Sequence, residues 1–182
     1  VLGMGMPTTA IYFLLAVLAT QPMIDLGVEP LAAHLFVLYF GLMSMITPPV
    51  ALAAFTAAKL ANTNPMSTAL SACQFGWPAF IVPFLFVLAP NLIMIGNWID
   101  ISIAFFTAIM GIWFTSAGII GFLRTKLSPI QRILYVVGGL ALLLPNQVFE
   151  TNHVIEIAGA IICFASFTFE KVSEEEVEVK SI

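Results

Sequence analysis

Apolar residues run through this chain in long blocks parted by short polar stretches. A helix crossing a hydrocarbon core needs about 20 apolar residues, and that length sorts the blocks. The first, residues 7–20, is only about 14 residues long, which suits a half-span or re-entrant arm. The link QPMIDLGVEP follows, with Asp25 and Glu29. The second block, residues 31–61, is too long for one span at about 1.5 Å per residue. Pro48 and Pro49 divide it near its middle, and KLANTNP ends it. A third block covers residues 66–89 and a fourth 101–123. The link RTKLSPIQR leads to a fifth, residues 133–144, extended towards Ser128 by amphipathic sequence, and a sixth covers 154–169. The pattern predicts an all-α polytopic membrane protein, with one re-entrant arm, one discontinuous helix and about four further transmembrane helices.

Composition agrees. Hydrophobic residues make up 60% of the chain and charged residues 9%, and the mean hydropathy is +1.05. A soluble domain carries about 25% charged residues; a chain so poor in charge has too little polar surface to cover a globule. The net charge of −4 is mostly a tail effect, since Glu170, Glu174, Glu175, Glu176 and Glu178 are half of the 10 acids. The six basic residues are scattered, which argues against a nucleic-acid surface. Cys73 and Cys163 both fall inside apolar blocks and read as inert core cysteines. The chain opens within an apolar element, without an initiating Met or a charged leader, and is expected to be part of a longer polypeptide.

The basic residues also fix an orientation, because Lys and Arg favour cytoplasmic links. Arg124, Lys126 and Arg132 cluster in one link. Counting spans from there puts Lys59 and the tail, with Lys171 and Lys180, on the same side. The links at 21–30, 90–100 and 145–153 fall outside and hold no Lys or Arg.

With that orientation, two interruptions are expected at similar depth near the bilayer midplane. One is the start of the chain, VLGMGMPTTA; the other is SMITPPVALAAF, residues 44–55. Proline removes a backbone donor and frees the carbonyl a turn earlier, here around Ser44 and Met45. Gly3 and Gly5 let the chain turn and permit close approach. Unpaired backbone groups are tolerated in a bilayer only where they line a protein cavity. In secondary transporters such carbonyls bind Na⁺ or H⁺, and half-helix N-termini face anionic groups. Helix starts are expected at Pro7 and near Pro49, with the hydroxyls of Thr8, Thr9, Ser44 and Thr47 beside them. A lone proline would more simply be a kink; a Pro-Pro pair and a Gly-Met-Gly-Met-Pro stretch at matched depth favour a transport site.

Other residues read more plainly. His34 suits packing, His153 lies in an outer link, and Asp25, Glu29 and Asp100 sit outside the apolar runs. Trp77, Trp98 and Trp113 suit interface or packing positions. Met4, Met6, Met43 and Met45 read as packing residues whose carbonyls matter more than their sulfurs. No catalytic triad, HExxH or phosphate loop occurs, so an enzyme is not expected.

At its two interruptions the sequence resembles a known family. LGMGMPTTAIYFLLAVLATQPM and AAHLFVLYFGLMSMITPPVALAAFTAAKLANTNP are similar to the C-terminal part of the large membrane subunit (DctM-like) of tripartite ATP-independent periplasmic (TRAP) transporters. The match covers roughly residues 1–90. IGFLRTKLSPIQRILYVVGGLALLLP more loosely resembles the extra C-terminal helices of the form in which small and large subunits are fused. The resemblance implies an elevator-type, Na⁺-coupled permease of the inner (cytoplasmic) membrane of a bacterial or archaeal cell. It implies import of a small organic acid delivered by a periplasmic substrate-binding protein. Gly3, Met4, Gly5, Met6, Pro7 and Thr8 then match a hairpin tip, and residues 7–20 its returning arm. Ser44, Met45, Thr47, Pro48 and Pro49 match the break of the last discontinuous helix. By the same resemblance Gly3, Met4, Gly5, Met6, Ser44, Met45 and Thr47 would hold Na⁺, with no other cofactor. Pro7, Thr8, Thr9, Pro48 and Pro49 would wall the substrate site. Residues 1–64 would belong to a transport domain, 65–124 would complete the family region, 125–169 would be the extra helices and 170–182 a cytoplasmic tail. Transport would need the remainder of the same permease polypeptide, lipid on the outer faces and no nucleic acid. The competing reading is a non-transporting membrane scaffold or anchor, for which Gly111, Ala117 and Gly118 would serve helix packing.

Overall fold

The computed structural model of the chain describes residues 7–123, 127–145 and 157–163. Gly3, Met4, Gly5 and Met6 of the expected hairpin tip, and Arg124, Lys126, His153 and the acidic tail, lie outside the described residues. The fold is all-α, with no strand among the described residues. Two compact units divide at Gly96 and Asn97.

In the first unit the opening helix is longer than its apolar block. It runs as α1 (Thr8–Leu15), a π-helical turn (Ala16–Thr20) and α2 (Gln21–Asp25). Pro22 has no N–H to give, and its ring crowds the carbonyl four residues back. The wider π turn just ahead absorbs that defect, so the helix passes the proline and ends at Asp25. The expected half-span of residues 7–20 is corrected to a segment of 18 residues, Thr8–Asp25, about 27 Å long. Pro65–Leu88 and Trp98–Ile120 are likewise long and apolar enough to cross a membrane.

The second block is cut as the prolines require, into α3 (Pro30–Met43) and α4 (Leu52–Leu60). A tight turn follows, in which Asn62 takes φ 52°. Asn64 then caps α5 (Pro65–Phe75), its side chain accepting the N–H groups of Met66 and Ser67, while Pro65 fills a first-turn position that lacks a helical bond. The third block is also broken. Pro78 opens a new helix, α6 (Pro78–Leu88), after a turn at Gly76–Trp77. α4 packs along α5, and α3 packs along both α6 and α1. Phe36 and Phe40 meet Phe84 edge-on at 5.2 and 5.6 Å between ring centroids, a favoured arrangement for apolar rings.

The second unit is held by close helix contact. α7 (Trp98–Ile120) and α8 (Pro129–Leu143) lie against each other along their length. Small residues permit this, as membrane helices lack a hydrophobic drive to associate and rely on packing. A Cβ at Gly118 would stand 2.8 Å from the Arg132 carbonyl. On its other face α8 meets the helical segment 157–163, where a Cβ at Gly159 would stand 2.7 Å from the Gly138 carbonyl. Ser128 and Gln131 form a capping box at the start of α8, satisfying two otherwise orphaned donors.

Arg132, in the first turn of α8, reaches the end of α7. Its Nε donates to the Gly118 carbonyl at 3.1 Å and its second amino group to the Ile119 carbonyl at 2.8 Å. Those are final-turn carbonyls with no helical partner, at the negative end of the helix dipole. Gly121, at φ 78°, provides the left-handed residue that ends the helix. Arg132→Ala is expected to lower stability by about 1–2 kcal/mol, after allowing for the exposed half of the contact. Arg132→Lys should recover part of the loss, since it keeps the charge but not the fork. Thermal unfolding in detergent measures both; an unmoved midpoint for Arg132→Ala would contradict the capping role.

Candidate ion and substrate site

The break between α3 and α4 is an ordered turn rather than a frayed helix. Ile46 N–H, Thr47 N–H and the Thr47 hydroxyl all donate to the Met43 carbonyl, at 3.2, 3.1 and 2.7 Å. The Ser44 hydroxyl donates to the Gly41 carbonyl at 2.7 Å. Ala51 N–H donates to Thr47 O at 3.1 Å. The peptide between Pro48 and Pro49 is cis. Two details differ from what the prolines alone suggest. The Met45 carbonyl is not left bare: Ala53 N–H, on the far side of the break, donates to it at 3.0 Å. And α4 starts at Leu52 rather than near Pro49, because Ala51, fully buried, turns left-handed at φ 34° before the helix begins. That conformation costs an L-residue about 1–2 kcal/mol and is held by the packing of Ala51 against Ala54 and Ala69. Nothing in the sequence of residues 44–55 marks Ala51 for this role.

The chemistry of the turn follows from where its protons go. Ser44 and Thr47 spend their hydroxyl hydrogens on the backbone. A hydroxyl oxygen whose proton is so committed, as in Thr47, has only lone pairs left to offer, which is what a hard cation requires. Each carbonyl has two lone pairs, so Met45 O, holding one N–H, keeps acceptor capacity. Ser44, Met45, Thr47 and Pro48 are half-buried and Pro49 is exposed. The first turn of α4 has no side-chain cap, so its N–H groups carry the positive end of the dipole without a competing side-chain oxygen.

α1 reaches the same level. It is antiparallel to α3 across the short link at 26–29, and Ile11 fills the space at Gly41, where a Cβ would stand 2.9 Å from Ile11 Cγ2. One turn towards the α1 start is Thr8; one turn towards the α3 end is Ser44. The antiparallel register therefore sets Pro7 and Thr8 level with Ser44 and Met45. Pro7 is the N-cap of α1, without a side-chain hydrogen bond. Pro7 and Thr9 are exposed and Thr8 is half-buried. Nearer the other end of α3, the Tyr12 hydroxyl pairs with His34 Nδ1 at 2.9 Å, so His34 ties the two helices together. Asp25, Glu29 and Asp100 are exposed at helix ends or links.

The break in the third block escaped sequence reading, although FGWP, residues 75–78, carries its signal: a glycine and a proline two residues apart in an apolar run. It lies directly behind the first break. The Cys73 thiol donates to the Ile46 carbonyl at 3.4 Å, and Ile46 Cδ1 lies 3.0 Å from where a Cβ on Gly76 would stand. Cys73 is half-buried and, beyond its expected place inside an apolar block, makes a specific contact. No group of three or more His, Cys, Asp or Glu occurs among the described residues, so oxygens of the backbone and of hydroxyls are the donors this turn offers.

α3 is 14 residues long, about 21 Å. A span entering at Pro30 thus breaks before it has crossed a core of about 30 Å. A polar turn at that depth, two discontinuous helices side by side and a third helix start at the same level together give the arrangement found where membrane carriers bind their cargo. Comparison with curated proteins and with solved structures returned no match. Residues 1–101, more than half of the chain and the whole of the first unit, match the family model of the tripartite ATP-independent periplasmic transporter, DctM component; the chain is a multi-pass membrane protein that belongs to this transporter family.

Proposed function

We propose that the chain is the C-terminal part of a Na⁺-coupled, elevator-type permease that imports an organic acid across the inner membrane. A periplasmic substrate-binding protein delivers the acid, and the rest of the same polypeptide completes the transport domain. The observation that carries this reading is the turn at residues 44–51, where the hydroxyls of Ser44 and Thr47 donate to the Gly41 and Met43 carbonyls, which leaves the Thr47 oxygen its lone pairs as an acceptor. Ser44, Met45 and Thr47, with Gly3, Met4, Gly5 and Met6, hold Na⁺. Pro7, Thr8 and Thr9 and the turn at Pro48–Pro49 line the adjoining wall, where the start of α4, which has no side-chain cap, favours a carboxylate through its dipole. Binding of Na⁺ first would offset the cost of bringing that carboxylate out of water.

The test is uptake of a panel of radiolabelled carboxylates by vesicles that contain the intact transporter. Uptake is expected only with the binding protein outside and an inward Na⁺ gradient. Full-rate uptake by the membrane protein alone would sink the tripartite reading, and uptake unaffected by dissipating the Na⁺ gradient would sink the coupling.

A further inference from the structure

The α5–α6 pair packs behind the α3–α4 turn, and both helices break at the same level. α4 lies on α5 and α3 on α6, so the turn at 44–51 and the turn at 76–77 face each other. Two contacts join them. The Cys73 thiol donates to the Ile46 carbonyl at 3.4 Å, across 27 residues of sequence. The absent side chain of Gly76 leaves the space that Ile46 Cδ1 fills, at 3.0 Å from a notional Cβ, with the Ala72 carbonyl also at 3.0 Å from it. Ile46 is the residue before Thr47, and they share one peptide plane. An interaction that fixes the Ile46 carbonyl therefore fixes the direction of the Thr47 N–H as well. That N–H and the Thr47 hydroxyl both bind the Met43 carbonyl. The peptide plane is thus held from both edges, by Cys73 on the carbonyl side and by Met43 on the amide side. Pro78, which lacks an N–H, and Gly76 break the helix at this level, and Gly76 leaves the room Ile46 needs.

We propose that Cys73 and Gly76 are positioning residues of the cation site: the second broken helix is the seat that sets the Ile46–Thr47 peptide and thereby the Thr47 hydroxyl oxygen. This rests on the ion-site reading above. Its physical consequence is a change in cation affinity without any contact between these residues and the ion. Loss of the thiol lets the peptide rotate, so a smaller share of molecules holds the Thr47 oxygen in the binding geometry, and apparent affinity falls by that share.

Purified intact transporter in detergent is titrated with sodium chloride, with choline chloride keeping ionic strength constant. The readout is the Na⁺ concentration at half-maximal thermal stabilisation. Cys73→Ala should raise this midpoint about 2- to 10-fold, the worth of one weak neutral hydrogen bond. Cys73→Ser keeps a donor in place and should stay within about 2-fold of the unaltered protein. Gly76→Ala should raise the midpoint by pushing Ile46 out of its seat, and Gly76→Ala combined with Ile46→Val, which removes the obstructing Cδ1, should reverse part of the rise, the Ala72 carbonyl still standing 3.0 Å from the added Cβ. A purely structural role would lower the melting temperature without Na⁺ and leave the midpoint unmoved, and that result overturns the proposal. Thr47→Ala separates the two readings: if it shifts the midpoint while Cys73→Ala and Gly76→Ala do not, the seat is wrong and the ion site stands. If none of the three shifts it, the seat falls together with the site.

Discussion

Gly139→Val is expected to part α7 from α8 and to destabilise the second unit by about 3 kcal/mol, the upper end of the range for overpacking. A Cβ at Gly139 would collide with the Thr115 hydroxyl, and it would stand 2.7 Å from the Thr115 amide nitrogen and 2.8 Å from the Gly111 carbonyl. Two of these three are backbone atoms of a long helix, which cannot turn aside as a flexible side chain would. The helices must therefore separate, and dispersion contacts are lost along a wide strip. In a bilayer no hydrophobic drive draws the helices back together, because lipid tails are as apolar as the partner helix, so close packing is what holds them. Gly139→Ala should cost less, though in the same direction. Val137→Leu, on the exposed side of α8, is the control and should leave stability unchanged. Thermal unfolding in detergent reads all three, and a Gly139→Val protein as stable as the control would show that this contact does not hold the helices.

Much of the architecture was legible in the order of apolar blocks, because the hydrocarbon core imposes a length that soluble folds do not. The division of residues 31–61 was legible for a covalent reason: Pro48 and Pro49 have no N–H to give. Segment lengths were less so. The opening helix passes Pro22 through a π turn, and no residue pattern announces that the backbone will widen at residues 16–20 to accommodate a ring at 22. The kink at Gly76 was present in FGWP but lay inside a run of ordinary length, so hydropathy alone gave no reason to divide it. Within the candidate site, Ser44 and Thr47 could be singled out because hydroxyls beside a proline break are chemically conspicuous. Ala51 and the Cys73–Ile46 contact were not. A left-handed alanine has no mark in one sequence, and a thiol reaching a carbonyl across 27 residues is a product of packing. The acceptor state of Met45 O was also misjudged, since Ala53 lies beyond the break and only the folded turn brings its N–H back.

Thr47→Ala is expected to weaken Na⁺ binding about 5- to 150-fold, the range for a lost bond to a charged group of about 1–3 kcal/mol. The side chain is half-buried and the change removes little volume, so the fold should persist with only the hydroxyl hydrogen bond to Met43 missing and the amide one kept. Thr47→Ser keeps the oxygen and should bind nearly as well as the unaltered protein, which separates loss of a ligand from loss of a methyl contact. Pro48→Ala acts on the backbone instead. It restores an amide donor where none existed and favours continued helix, drawing the carbonyl a turn earlier into a helical bond. Its effect should match Thr47→Ala in direction. The most direct measurement is the Na⁺ dependence of initial uptake by the intact transporter in vesicles, with Thr47→Ala, Thr47→Ser and Pro48→Ala compared at equal protein. The account predicts half-saturation displaced to higher Na⁺ in Thr47→Ala and Pro48→Ala and unmoved in Thr47→Ser. Superimposable Na⁺ curves for all of them would mean that the break at residues 44–51 is a kink and that the ion binds elsewhere.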